Sequence, residues 1–311
     1  MVAAARGGEG RYTARGSYEV IGPVLVTGGS GQVGGALARL AERDIEIVAP
    51  SREALDLSDP AALAAMVGTR PWAGVINCAA YTAVDKAETD VVAAWQVNAL
   101  APAALAAASA AAGIPIVHVS TDYVFSGTKP EPYVEDDPVA PLGVYGASKL
   151  SGELAVRSAN PRHVILRTAW VVSATGNNFV KTMLRLGADR PQLRVVADQK
   201  GCPTAADDIA RAILTILRQL GEGPYGTYHF VNGGEATWHA LAEAVFARAA
   251  RYGRPAPSVE PIATRDYPTP AARPANSRLA TAKIARDFGI FARDWHEAID
   301  EIVDTLLKEA A

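Results

Sequence analysis

The sequence predicts an α/β fold, a doubly wound parallel sheet followed by a smaller domain whose pieces interleave with it. Three observations carry that prediction. Short apolar runs without polar alternation recur through the first half of the chain, segments of helical composition separate them, and a glycine-rich turn closes the first run. The runs are Pro23-Val24-Leu25-Val26-Thr27, Glu46-Ile47-Val48-Ala49, Gly74-Val75-Ile76-Asn77, Ile116-Val117-His118-Val119 and His163-Val164-Ile165-Leu166. A strand with no polar alternate is covered on both faces, and strands spaced by helices pair in parallel. The spacing predicts helices over 33–42, 60–66, 91–112 and 148–157.

After Trp170 the rhythm loosens. Helices are expected near 178–186, 206–220 and 238–252, extended chain over 193–197 and a strand over 227–231. A stretch rich in proline (Pro255, Pro257, Pro261, Pro268, Pro270, Pro274) precedes the last helices. We therefore expect a disordered extension over 1–22 and a dinucleotide-binding type of domain over 23–171. Residues 172–311 form mainly a second, substrate-binding domain, with some segments returning to the first.

Composition narrows the function. With 311 residues, 49% hydrophobic and 20% charged, the chain is long enough for one large or two ordinary domains and too apolar to be disordered. Its 30 Lys+Arg against 33 Asp+Glu give a net charge of −3, which argues against a partner made of nucleic acid. Two cysteines, Cys78 and Cys202, make no disulfide framework and no metal-ligand spacing, so a cytoplasmic setting is the simpler expectation. Residues 1–22 contain no apolar core of a signal peptide. The apolar stretch 101–119 is broken by Pro102, Ser109, Gly113, Pro115 and His118. It reads as an alanine-rich helix, a turn and a buried strand, and no membrane partner is expected.

Gly28, Gly31 and Gly34 follow the first strand in a Gly-x-x-Gly-x-x-Gly spacing. Such a turn tolerates positive φ, lets a diphosphate approach the backbone, and aims a helix N-terminus at the anion. In this context it marks a Rossmann-type nucleotide site. Where an acidic residue after the second strand would select NAD, the chain carries Ser51-Arg52. A hydroxyl and a guanidinium suit a 2′-phosphate, which favours NADPH, with NADH as the alternative.

A second constellation supplies reaction chemistry. Ser120-Thr121-Asp122 stands just past a strand end, the edge at which open α/β sheets bind ligands. Tyr145 and Lys149 stand four apart, on one face if helical. In a carbonyl reduction Tyr145 would give its proton to the oxygen, Lys149 would lower the phenol pKa and hold the cofactor ribose, and Thr121 would hydrogen-bond the carbonyl oxygen or the phenol.

These residues carry a resemblance. Gly28 to Gly34, Asn77-Cys78-Ala79-Ala80-Tyr81-Thr82-Ala83-Val84-Asp85, Ser120-Thr121-Asp122-Tyr123-Val124-Phe125-Ser126-Gly127 and Tyr145-Gly146-Ala147-Ser148-Lys149-Leu150 resemble the extended short-chain dehydrogenase/reductases. Together with Leu166-Arg167-Thr168-Ala169-Trp170-Val171 and Arg273-Pro274-Ala275-Asn276-Ser277-Arg278-Leu279, they are similar to the dTDP-4-dehydrorhamnose reductase branch.

The resemblance implies NAD(P)H-dependent reduction of the 4-keto group of a dTDP-4-keto-6-deoxysugar, in dTDP-rhamnose biosynthesis. It places Gly31, Gln32 and Val33 on the cofactor diphosphate, Asp56 and Leu57 by the adenine, and Ala79, Ala80 and Tyr81 along the inner ribose and nicotinamide. Thr121 and Asp122 would face the sugar, with Trp170 as its wall. Asn98 falls where relatives have a helix-kinking, proton-relaying asparagine, and packing is its equal alternative. Lys181, Arg273 and Arg278 are candidates for the substrate diphosphate. Some relatives form homodimers around Mg²⁺, but no carboxylate spacing here names a ligand, so no metal is assigned. The competing readings are a sugar-nucleotide 4-epimerase or 4,6-dehydratase, and a non-catalytic regulatory subunit on the same fold. The intact Thr121, Tyr145 and Lys149 argue against the last.

Overall fold

The computed structural model describes residues 22–42, 45–221 and 223–308; the expected N-terminal extension lies almost wholly outside these. Strand β1 (Val24–Thr27) leads through α1 (Gln32–Leu40) to β2 (Ile47–Val48), then through α2 (Pro60–Val67) to β3 (Gly74–Asn77). After α3 (Val84–Ala87) come α4 (Val91–Trp95), a π-helical turn over Gln96–Leu100, and α5 (Ala101–Ala111). Strand β4 (Ile116–Thr121), α6 (Val144–Ala159) and β5 (His163–Thr168) complete the regular alternation. All five strands predicted for the first half of the chain are present.

The chain continues through β6 (Val171–Val172), α7 (Phe179–Asp189), β7 (Gln192–Val196), β8 (Lys200–Gly201), β9 (Thr204–Ala205) and α8 (Ala206–Leu217). There follow β10 (Gly226–His229), β11 (Ala236–Thr237), α9 (Trp238–Ala250), β12 (Ser258–Ile262), α10 (Ala282–Phe288) and α11 (Trp295–Lys308). The central sheet is wholly parallel, in the order β10-β5-β4-β3-β1-β2. The chain reverses direction across the sheet between β1 and β3. That switch point opens a crevice beyond the strand ends, where ligands bind in such sheets.

Helices cover both faces. Val24, Val26, Ile76 and Leu166 pack beneath α1, α8 and α10, while Leu25, Val75, Ile116 and Ile165 pack beneath α2 and α5. A separate core, including Met183, Leu193, Leu241, Phe246, Ile299 and Val303, joins α7, α9 and α11. Between its pieces α8 returns to pack on α1, and β10 adds the sixth strand.

Local chemistry explains the boundaries. Asp59 caps α2 by accepting from the Ala61 and Ala62 N–H groups, with Pro60 at the first helical position. The alanine-rich helix ends before Gly113, which takes φ +69° and releases the chain into β4. Among the described residues one helical stretch, Val91–Ala111, is long and apolar enough to cross a membrane by length and composition. In the fold its face carrying Ala101, Leu105 and Ala106 lies in the core. The proline-rich stretch contains a strand, β12, that its composition does not predict. Pro261 is accommodated because β12 pairs only with β7 in a two-stranded sheet, so no ladder bond is lost on its other side.

Candidate active site

At the end of β1, Gly28 takes φ +76°, and a Cβ there would stand 2.7 Å from the Ala79 nitrogen. A Cβ on Gly34 would run into the Gly28 carbonyl. These two glycines close the turn and seat α1 beneath it. Gly31 is exposed, donates its N–H to the Gly28 carbonyl at 2.9 Å and stands at the α1 N-cap, which has no side-chain cap. The first-turn N–H groups of Gln32 and Val33 are therefore without intrahelical acceptors, as an anion site requires.

The turn borders a cavity of about 900 Å³ that runs along the strand ends. Gly28, Gly31, Gln32 and Val33 line one end, with Arg52, Asp56 and Leu57 beside them. Ala79, Ala80 and Tyr81 form the floor after β3, and Thr121, Asp122, Tyr145, Lys149 and Trp170 surround the far end. Gly34, buried in the turn, and Ser51, Lys181, Arg273 and Arg278 stand outside the lining. Asp56 accepts the Ser58 N–H at 2.8 Å, which holds the loop after β2.

Helix α6 starts at Val144, four residues earlier than the sequence suggests, so Tyr145 and Lys149 occupy its first two turns at i and i+4. Tyr145 is half-buried by area, but its hydroxyl is enclosed, and burial pushes the phenol up to about 12. Thr121 nearby opposes that rise, while the Asp122 carboxylate adds to it; the Thr121 hydroxyl itself donates to Asp122 Oδ1 at 2.9 Å and accepts the Tyr123 N–H. The Tyr123 ring meets that of Tyr145 edge-on at 5.4 Å.

Lys149 is buried and donates to the Val119 carbonyl at 2.7 Å, with His118 Nε2 at 3.4 Å. Burial brings it down to about 8 against the pull of Glu153 and Cys78. The expected lowering of the phenol by Lys149 is not found among the influences on Tyr145. The ammonium is anchored on the backbone of β4, and the neighbour that favours phenolate is Thr121.

Asp122 is 3% exposed; burial raises it to about 6, and its Oδ2 has no hydrogen-bond partner. Trp170 takes φ +48°, the one positive value among the described non-glycine residues, and stacks on Trp238 at 3.6 Å. Gly201 lies under the Trp170 ring, where a Cβ would collide with the indole. A strained backbone over-determined by packing holds a rigid wall at the cavity. Arg273 pairs with Asp85 at 2.8 Å, and its Nη1 is buried without a partner. Arg278 is committed to Glu235, Asn276 and the Pro130 carbonyl, so it does not serve the cavity.

Asn98 is wholly buried in the π-helical turn. It accepts the Tyr81 N–H at 2.8 Å and donates to the Tyr81 carbonyl and to Ser148, each at 3.1 Å. Sequence reasoning missed a clasp across the cleft. Gln32 Oε1 accepts from Ser173 at 2.9 Å and from Asn178 at 3.0 Å, tying the glycine turn to the segment before α7. These partners are 141 and 146 residues apart, beyond any local pattern; only Asn178 as the α7 N-cap carried a signal.

Residues 22–308 match the sequence family described as the RmlD substrate binding domain. The chain belongs to this family. A dTDP-4-dehydrorhamnose reductase of Sinorhizobium fredii is 46% identical over 92% of this chain and 98% of its own. Among solved members of the RmlD fold, the dTDP-4-dehydrorhamnose reductase of Clostridium acetobutylicum superposes with a TM-score of 0.85 at 37% identity, covering 91% of this chain and 99% of the other. That of Bacillus anthracis, solved in complex with NADP, gives 0.85 at 35% identity, covering 90% and 98%.

Proposed function

We propose that the protein is an NADPH-dependent oxidoreductase that reduces the 4-keto group of dTDP-4-dehydro-β-L-rhamnose to dTDP-β-L-rhamnose, in dTDP-rhamnose biosynthesis. One observation carries this reading: a single cavity joins the glycine turn to Thr121, Tyr145 and Lys149. Its bare turn, the uncapped N–H groups of α1 and the Arg52 guanidinium fit a dinucleotide bearing a 2′-phosphate. When bound, NADPH supplies a hydride to the carbonyl carbon. NADH is the alternative that Arg52 disfavours.

The chain's own residues do the rest. A phenol pushed up to about 12 keeps its proton at neutral pH, so Tyr145 is the acid that protonates the C4 oxygen. Thr121 stands beside the phenol, where its hydroxyl can turn from Asp122 to the reacting oxygen, and Lys149 is the cation at the cofactor end of the same helix face. Trp170 and Asp122 shape the sugar end, and Arg273, whose charge acts on Tyr123 of the lining, is the candidate cation for the substrate diphosphate. In this reading 23–171 bind the cofactor and 172–311 mainly the sugar nucleotide. The 4-epimerase and 4,6-dehydratase alternatives return the hydride to the sugar, whereas relatives at 46% and 37% identity are reductases by name. Purified protein mixed with NADPH and the ketosugar should oxidise one NADPH per sugar reduced. NADPH oxidation that does not depend on the ketosugar would refute the assignment.

A further inference from the structure

A buried polar chain runs beneath the proposed acid, and two of its members, Asn77 and His118, lie outside the cavity lining. Strands β3 and β4 set Asn77 opposite His118 in register, and both side chains are at most 1% exposed. Asn77 Oδ1 receives the Thr27 hydroxyl at 2.6 Å and the Ala79 backbone N–H at 3.2 Å. A backbone N–H can only donate, so this bond fixes which end of the Asn77 amide is oxygen. The amide nitrogen then faces His118 Nδ1 at 3.0 Å. It donates there, and Nδ1 is the unprotonated nitrogen of the ring. Burial and the nearby Lys149 charge hold His118 well below its ordinary pKa, so the ring is neutral and its single proton sits on Nε2. That N–H points at Lys149 Nζ, 3.4 Å away.

We propose that His118, locked by Asn77 in the Nε2–H tautomer, is a positioning residue that destabilises the ammonium form of Lys149 and sets the pH at which the site loses activity. Two donors cannot satisfy one another. An ammonium at Nζ bonds the Val119 carbonyl but meets the dipole of the His118 N–H head-on, whereas an amine at Nζ accepts that N–H with its lone pair. The other groups facing Lys149 act in the opposite direction: Glu153 on the same helix, itself paired with Arg167 of β5, and the Cys78 thiol after β3. Among the described residues His118 is thus the one side chain within hydrogen-bond reach of Nζ, and it works with burial. A lysine brought near the working pH exchanges its proton with its surroundings far more readily than one at its usual value.

The proposal rests on the assignment of Tyr145 and Lys149 to the reaction, and its test separates the two. In wild-type protein labelled with ¹⁵N-histidine, the His118 ring should show a protonated Nε2 and a bare Nδ1 across neutral pH. A protonated Nδ1 overturns the proposal without any variant. In the pH profile of kcat/KM, His118→Gln offers Lys149 a carbonyl oxygen in place of the N–H, and the alkaline limb should move up by about one pH unit. A limb that stays in place or moves down overturns the proposal, provided the variant melts as the parent does. If instead Lys149→Met retains the parental alkaline limb, the catalytic assignment fails while the tautomer result stands.

Discussion

At Tyr145 two neighbours pull in opposite directions, Thr121 favouring phenolate and burial with Asp122 favouring phenol, and burial wins. The residue is therefore an acid at neutral pH, and its removal should be costly. Tyr145→Phe keeps the ring and its edge-on contact with Tyr123 but loses the proton, so kcat should fall by roughly 10²-fold or more with little change in melting temperature. A variant within a few-fold of the parent would remove Tyr145 from the mechanism. Arg52 belongs to the other end of the cavity. Arg52→Ala should lower kcat/KM for NADPH while sparing NADH, and an unchanged ratio of the two would exclude Arg52 from cofactor selection. At this scale the sequence was most informative where residue type dictates chemistry: the glycines, the Tyr145–Lys149 spacing and the Ser-Thr-Asp strand end. It was less informative at Ser51, which stands beside Arg52 but outside the lining, because a side chain's direction depends on loop geometry that residue type does not encode.

The long helix from Val91 to Ala111 shows how an element can serve the site indirectly. Its π-helical turn displaces Asn98 so that the side chain completes both backbone bonds of Tyr81 on the cavity floor. Asn98→Leu leaves the part-buried Tyr81 N–H without its acceptor, and the cost should be about 1–3 kcal/mol of stability, measured by denaturant unfolding. An unchanged midpoint would mean that the turn holds itself. The alanine-rich run announced a helix, but not its extra residue, since a π-helical turn has no composition of its own. The clasp of Gln32 on Ser173 and Asn178 was equally hidden. It joins elements that only the completed sheet brings together.

For the whole molecule, the parallel sheet was legible because each strand is apolar on both faces and announces itself without reference to the others. The interleaving of the second half was less so. Strand β10 reads as an ordinary short strand, and its place beside β5 follows from packing against Tyr133, Arg167 and α10 rather than from its own residues. That placement has a pH consequence. His229 at the end of β10 is held down to about 3 and His118 well below its usual value, both chiefly by burial. The unfolded chain binds these protons near pH 6.5 while the folded chain refuses them, so stability is complete above that pH and declines as pH falls toward 3. Asp122, raised to about 6, runs the other way between its usual value and pH 6 and offsets part of the loss. Melting temperature should therefore fall between pH 7 and 4, less steeply in His229→Gln, and a flat profile would contradict the two buried neutral histidines. The cavity that joins the glycine turn to Tyr145 is the centre of the account, and one measurement bears on it most directly. Purified protein, NADPH and dTDP-4-dehydro-β-L-rhamnose should give, by NMR, dTDP-β-L-rhamnose in amounts equal to the NADPH consumed. A sugar epimerised or dehydrated with no NADPH consumed would contradict it.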